Sequence, residues 1–397
     1  MWKKVVMGSE LKMSDKEYQA TPMEIQGMTG SYNRGDVHIL LEPTTIEHTN
    51  VEEKEEMIQK GVKHYSQMIS LENPPSKQHL NFFWSSMALN GMRMAAEVQM
   101  LGNALISKMD RNKPIILVSL VRAGLPLGVL LKRYIKQTQE CVHYGISIIL
   151  GRGIDYAALN LIIAEHGQEN IVFVDGWTGK GAITAELTKS LKDYPDLFDP
   201  KQGIPRLVTL MDLGGCSWLS VTADDWVIPS GILGSVVSGL ISRSILKDDI
   251  DPELMKTDFK NPENWHKCVV YDHLQEFDIS QTFIDYIYQV IQKNPVGDCA
   301  VWDLEDRSRQ KSLSTSIIEK IANDFSITNL NQIKPGIAEA TRAVMRRLPE
   351  KVLVRDVNHP SLQLILNLVQ GTTVQVVEVG DYLGPYQVVT LICKKVD

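Results

Sequence analysis

From Ile171 to Leu187 the chain reads IVFVDGWTGKGAITAEL: four apolar residues, an aspartate, and a Thr/Gly-rich turn opening into a helical pattern. A strand of this kind delivers Asp175 to its carboxyl end, where open α/β sheets bind ligands. Gly176, Gly179 and Gly181 let backbone N–H groups turn toward an anion, and the helix start beyond them adds unpaired N–H groups and a positive dipole end. With the Thr178 hydroxyl and the Lys180 charge, the segment reads as a phosphate cradle, with Asp175 placed to accept hydrogen bonds from sugar hydroxyls. The GxxxxGK[ST] pattern of an ATPase loop is absent. Two further strand ends carry cations: Ser119-Leu-Val-Arg122-Ala123-Gly124, and Arg152-Gly-Ile-Asp155. Each charge alone would read as solvated surface. At one sheet edge, Arg122, Arg152 and Lys180 surround Asp175. Cys216, in Asp212-Leu-Gly-Gly-Cys-Ser-Trp, is a candidate nucleophile. A thiol protease needs a histidine in reach and an orienting Asn or Asp. His143, His266 and His273 are available and their spacing selects none, so the sequence favours a buried cysteine over proteolysis.

The apolar strand, acid and Thr/Gly loop resemble type I phosphoribosyltransferases, with Gly176 where those enzymes usually carry a second acid. Wider segments, among them GSYNRGDVHILL, SLVRAGLPLGVLLKR, HYGISIILGRGID and IPSGILGSVVSGLISRSIL, resemble the StiP family associated with tellurite-resistance stress operons, over about residues 29–290. The resemblance implies phosphoribosyl transfer or exchange, with phosphoribosyl pyrophosphate and Mg²⁺, in making a nucleoside-like metabolite. Arg122, Ala123, Gly124, Asp175, Gly176, Thr178, Gly179, Lys180 and Gly181 would hold the substrate. Asp175, Arg152 and Asp155 would take the catalytic roles, the arginines stabilising charge as the anomeric bond opens. No metal ligand is assigned. Two alternatives stand beside it: a catalytically degenerate, nucleotide-sensing RNA-binding regulator, and a cysteine protease using Cys216, the label that family often bears.

Towards the C-terminus, Lys334 to Arg355 holds six basic residues against Glu339 and Glu350. The reading is an RNA patch or a solvated face. The order GxxEATR helix, KVLVRD strand, HP, helix, strand, YLGPY resembles the Pelota-type RNA-binding fold over about residues 330–397. By that resemblance Gly336, Ile337, Glu339, Ala340, Arg342 and Arg346, with Leu383 and Gly384, form the RNA face.

The elements that must position these residues alternate. After an irregular leader (1–35) come helical patterns from Asn50 to Ile69 and His79 to Met109, separated by the proline break ENPPS. Strands over Pro114–Leu120, Val142–Leu150, Ile171–Val174 and Leu207–Met211 alternate with helices. The fold class is therefore α/β, a doubly wound and mainly parallel sheet over 1–295, which the resemblance implies is of phosphoribosyltransferase type. Asp224–Arg243 reads equally as a hood over the ligand, with Ser242 and Arg243 facing it, or as a buried helix of small residues. Residues 245–300 are polar and broken by Pro252, Pro262 and Pro295, with a helix near Ser280–Gln292. A smaller α-β-α sandwich follows from about Cys299, over 300–397. The 397 residues carry a net charge of −7 and five scattered cysteines without a CxxC pair. That argues against a nucleic-acid-coated surface, a disulfide framework and a zinc site. With no secretion signal and no apolar run of roughly 18 residues, a cytoplasmic protein without a membrane span is expected. The oligomeric state is left open.

Overall fold

Ile115 to Leu120 is apolar at nearly every position, and such a strand requires cover on both faces. The computed structural model describes residues 25–246, 257–297, 302 and 304–392. In it this segment is β2 of a parallel sheet. The strands are β1 (His38–Ile39), β2 (Ile115–Leu120), β3 (Cys141–Ile146), β4 (Ile171–Val174), β5 (Leu207–Asp212) and β6 (Leu219–Thr222), in the order β1-β3-β2-β4-β5-β6. Trp177–Thr178 forms a further short strand on β5, and every pairing is parallel.

The helices follow the side-chain alternation of the strands. The expected helix from Asn50 is shorter than its pattern: α1 (Val51–Gln59) ends where Gly61 takes a positive φ of 67°, and only a 3₁₀ turn at Tyr65–Gln67 follows. The long helix α2 (Lys77–Lys108) begins after the two prolines, with the Ser76 hydroxyl accepting from the His79 N–H. Ile115, Leu117, Val172 and Val174 pack toward α2, α3 (Leu125–Ile135) and, through Phe283, Ile284 and Ile287, residues that a later helix supplies. Ile116, Val118, Ile171 and Phe173 pack toward α4 (Tyr156–His166) and α5 (Ala182–Ser190). Both faces are thus covered, as the continuous apolar strands require. That later helix is α6 (Ser280–Lys293).

The second unit opens with α7 (Leu304–Asp324), which the sequence pattern did not reveal: its buried stripe is only Arg307, Ser314, Ile318, Ile321 and Ala322. Then come β7 (Ile333–Pro335), α8 (Ile337–Arg346), β8 (Pro349–Val354), α9 (Gln363–Val369), β9 (Gln375–Glu378) and β10 (Val388–Ile392). The sheet order is β7-β10-β8-β9, with β8 parallel to β9 and β10 antiparallel to both its neighbours. Helix α8, the 3₁₀ turn Pro360–Leu362 and helix α9 cover one face through Ile337, Ala340, Leu362 and Ile365. The opposite face, with Leu353, Val389 and Leu391, joins α7 and the first sheet in one continuous apolar cluster. Asp224–Arg243 forms neither a long helix nor a detached hood. It is a mostly buried, irregular segment with one helical turn at Pro229–Ile232 and a 3₁₀ turn at Ser235–Val237. The first 24 residues, Pro252, Cys299 and Cys393 lie outside the described residues. Among the described residues no helix is long and apolar enough to cross a membrane.

One buried carboxylate ties the units together. Asp225, just beyond β6, accepts the Ile337 N–H at 2.9 Å and the Gln387 N–H at 2.8 Å. It thereby caps the start of α8 and fixes the approach to β10. Asp225→Ala would leave both buried donors unpaired, at a cost of about 1–3 kcal/mol each. An earlier unfolding transition of the C-terminal unit in chemical denaturation is expected, with a smaller loss for Asp225→Asn, which keeps one acceptor. Unchanged midpoints in both variants would remove the latch.

Candidate functional site: a cationic cleft between the two sheets

The carboxyl ends of β2 and β4 carry Arg122, Ala123 and Asp175 to the edge of the first sheet, and α8 meets that edge from the other unit. Between them lies a cleft of about 780 Å³. Its walls come from the loop Ser70–Ser76, the strand ends, the turn Trp177–Gly181, the segment around Leu233–Val236, and α8 with its flanks. Eight lysines and arginines line it against three carboxylates, Glu72, Asp175 and Glu339.

Most of these charges are already engaged. Arg122, only 4% exposed, donates to Glu72 Oε2 at 2.9 Å and to the Ile241 carbonyl at 2.7 Å. Glu72 also accepts from the Ser235 N–H and hydroxyl, and Arg346 stands 3.6 Å away. Burial alone would raise the Glu72 carboxyl, but Arg122 and Arg346 outweigh it and hold it well below the usual carboxylate range. Lys180 donates to the Ile333 carbonyl at 2.7 Å, and both Lys180 and Lys334 flank Glu339. Burial pushes Glu339 up, and those two ammonium groups bring it below its ordinary value. Arg347 grips Glu55, Arg243 donates to the Tyr65 and Met68 carbonyls, and Lys54 donates to the Ser70 hydroxyl. Burial and the neighbouring arginines lower Lys54 to about 8. Arg342 lies over the Trp177 ring at 5.3 Å. Burial, then Arg122, lowers it to about 10, and Arg346 falls similarly to about 9. Among the described residues Asp175 accepts only its own loop's Gly176 N–H at 2.8 Å, and burial, opposed by that bond and by the Arg342 charge, raises its carboxyl to about 7.

The structure brings Arg122, Ala123, Asp175, Thr178, Gly179, Lys180 and Gly181 to the cleft. Gly124 and Gly176 lie just behind it, packed against the Val174 carbonyl and near the Ala123 carbonyl. Thr178 is committed rather than free, donating to Asp212 and accepting the Gly214 N–H. Arg152 and Asp155 do not reach the cleft. Arg152 sits exposed on the turn after β3, while Asp155 is a buried N-cap of α4, accepting from the Ala158 and His266 N–H groups. The structure therefore gives Asp155 a structural position rather than a reacting one. Arg243 does line the cleft, and Ser242 is buried with its hydroxyl on the Arg243 carbonyl. Glu72, Lys54 and Trp177 were not anticipated. Glu72 lies in a proline-bounded break with no periodicity to mark it.

The residues expected to face RNA are turned inward. Glu339, Arg342 and Arg346 line the cleft. Gly336, at φ 84°, has room for no Cβ beside Leu213, and Ile337, Ala340 and Leu383 are buried. Gly384 packs against Ile317 on α7, and Tyr386 donates to the Gly179 carbonyl at 3.0 Å. Among the described residues no group of three histidine, cysteine or acidic side chains is arranged to hold a metal. The cleft's carboxylates fit this, since Glu72 and Glu339 already serve cations.

Cys216 sits beneath the same turn. Its thiol is 3.5 Å from the Thr184 hydroxyl and 3.7 Å from an Asp212 oxygen, and lies directly under Gly181. Burial, then the Asp212 charge, pushes it up to about 12. None of the three candidate histidines partners it. His143 bonds to Ser119 and the Asp36 carbonyl, His266 to Ser147, and His273 to the Glu72 carbonyl.

A family model described as "Tellurite-like stress resistance cysteine protease StiP" matches residues 30–288, and one described as "PELOTA RNA binding domain" matches residues 312–394. A protein of Acinetobacter baylyi (strain ATCC 33305 / BD413 / ADP1), named "Cysteine protease StiP", is 50% identical over 375 residues, covering 93% of this chain and 95% of that protein. These findings overturn the expectation of a phosphoribosyltransferase. The names attached to the match and to the relative are those of a cysteine protease, and neither carries phosphoribosyl transfer. At neutral pH the Cys216 thiol, in a half-buried residue, should be protonated, so iodoacetamide followed by peptide mapping should modify it far more slowly in the native protein than in denaturant. Rapid alkylation in the native protein would contradict this placement.

Proposed function

The chain belongs to the StiP family, and from that membership together with its cleft we propose a stress-resistance protein that binds a phosphate-bearing ligand of nucleotide class between its two sheets. RNA is the proposed partner of its C-terminal unit. The observation that carries the reading is charge: eight cations against three carboxylates line the cleft of a protein whose net charge is −7. Low-dielectric walls around charges of one sign concentrate oppositely charged ligands. The parallel sheet and the strand–turn–helix at Asp175 are read as a phosphoribosyltransferase-like scaffold, a likeness of fold only. Mg²⁺, for which the described residues offer no cluster, would enter with the ligand's phosphates. Because the α8 start and the Leu383 loop are packed into the interface, RNA binding by those residues requires the units to part. Ligand and RNA are then alternatives, which is the logic of a regulator.

Isothermal titration with ATP and with inorganic triphosphate should show binding that weakens as salt rises. Binding should also weaken as pH rises through about 7. A carboxyl raised to that value is neutral below it and adds a negative charge to the cleft above it. Asp175→Asn should flatten this step, leaving the later decline as Lys54 loses its proton near 8. Absence of binding at low salt, or an unchanged pH step in Asp175→Asn, would defeat the reading.

A second reading, a cysteine peptidase, is favoured by the name of the 50% identical relative. It is also favoured by the position of Cys216 under the cleft-lining Gly181. The thiol would have to emerge through a shift of that turn and find a base. If so, casein cleavage by the purified protein should vanish in Cys216→Ala. Cleavage that survives the substitution, or none by either protein, removes Cys216 as a peptidase nucleophile.

A further inference from the structure

Seven of the eight cations lining the cleft are held by a protein oxygen, whether a carboxylate, a carbonyl or a hydroxyl. Arg342 is the exception. Among the described residues it makes no hydrogen bond and no ion pair, and its one specific contact is the face of Trp177 at 5.3 Å. Its neighbours Arg122 and Arg346 share the Glu72 carboxylate, and the other two cleft carboxylates, Asp175 and Glu339, act on Arg342 through space without a hydrogen bond or ion pair to it. An arginine placed in this way loses hydration and is repelled by Arg122, costs that the more distant charges of Asp175, Glu72 and Glu339 offset only in part. Stacking on an indole orients the planar group without occupying its N–H fork.

Resting on the reading of the cleft as an anion site, we infer that Arg342 is its ligand anchor, binding a phosphate group through its free guanidinium edge. The C-terminal unit thus supplies the residue on which the ligand site depends. A planar fork matches two oxygens of a phosphate at once, and such charge-assisted pairs are among the stronger hydrogen bonds. Helix α8, whose basic face reads in the sequence as an RNA surface, then serves the small-molecule cleft. Since Trp177 belongs to the first unit and Arg342 to the second, a bound phosphate stabilises their contact, and ligand occupancy should protect the C-terminal unit from unfolding.

The test is calorimetric titration of the full chain with inorganic triphosphate, paired with thermal unfolding with and without it. Arg342→Ala should weaken binding at least tenfold and abolish the ligand-induced rise in unfolding temperature. Arg342→Lys should recover part of the affinity, keeping the charge and losing the fork. Lys351→Ala, the same change of charge on β8 away from the cleft, should stay within twofold of wild type. Binding by wild type with Arg342→Ala equal to it within threefold overturns the inference and leaves the cleft reading intact. Failure of wild type to bind overturns both. Should Arg342→Ala lose its cooperative unfolding transition, Arg342→Lys decides: a loss of threefold or more supports the anchor, and wild-type affinity overturns it.

Discussion

Three guanidinium groups, Arg122, Arg342 and Arg346, share one cleft in which a single carboxylate, Glu72, pairs with two of them. Like charges in a low-dielectric setting repel strongly, and removing them from water adds to the cost. Much of the surrounding architecture follows from containing that cost. The loop after the 3₁₀ turn carries Glu72 into the cluster, and Pro74 and Pro75 keep it from continuing as helix. Ser235 supplies two further donors to the same carboxylate, which binds the Asp224–Arg243 segment to the sheet edge. Gly234 gives the backbone room to approach, since a side chain there would collide with the Glu72 carboxylate. The first sheet, the irregular segment and the second unit thus converge on one anion. Of the three guanidinium groups, Arg342 is the one with which that anion makes no ion pair.

The docking of the second unit is equally specific. Asp225 holds the N-terminus of α8 and the entry to β10, Tyr386 reaches the Gly179 carbonyl, and Glu339 lies against Gly179 between two lysines. Gly179 has no side chain to interpose, so the second unit presses directly on the turn that carries Lys180. A continuous apolar cluster beneath these polar contacts joins the two sheets. The features that in sequence suggested an RNA surface are therefore, in this arrangement, interface features. The glycine at the α8 start is needed for its positive φ and its closeness to Leu213, which a packing role explains as well as a nucleic-acid role.

Sequence periodicity located most of the elements. The buried parallel strands are continuous apolar runs, and α2, α4, α6 and α8 each show a helical repeat with recognisable stops. It failed where tertiary contacts override local pattern. Helix α7 is polar along most of its length and becomes visible only through the thin stripe that meets the second sheet. The two-residue strand β1 is fixed by its partner on β3 rather than by its own composition. In the site, Asp175, Arg122 and the glycine turn were legible because strand ends in α/β sheets gather at one edge. Arg152 failed by the same logic: it follows a strand of that sheet, but the intervening turn carries it to the surface. Glu72 and the cleft-facing orientation of Arg342 could not be read, because both depend on where a second unit docks.

The half-buried Cys216 belongs to the same mechanical system. Asp212 accepts the N–H groups of Cys216 and Ser217 and the hydroxyl of Thr178, so one carboxylate fixes both the cysteine loop and the cleft-lining turn. The Cys216 sulfur lies under Gly181, and the turn above it is held from the far side by Tyr386 and Glu339 of the second unit. Exposing the thiol means moving the turn, and moving the turn means breaking contacts with the C-terminal unit. Lowering the thiol's pKa would in addition require distance from Asp212, whose charge favours the protonated form. The position of Cys216 is thus coupled, through the turn above it, to Tyr386 and Glu339 of the second unit.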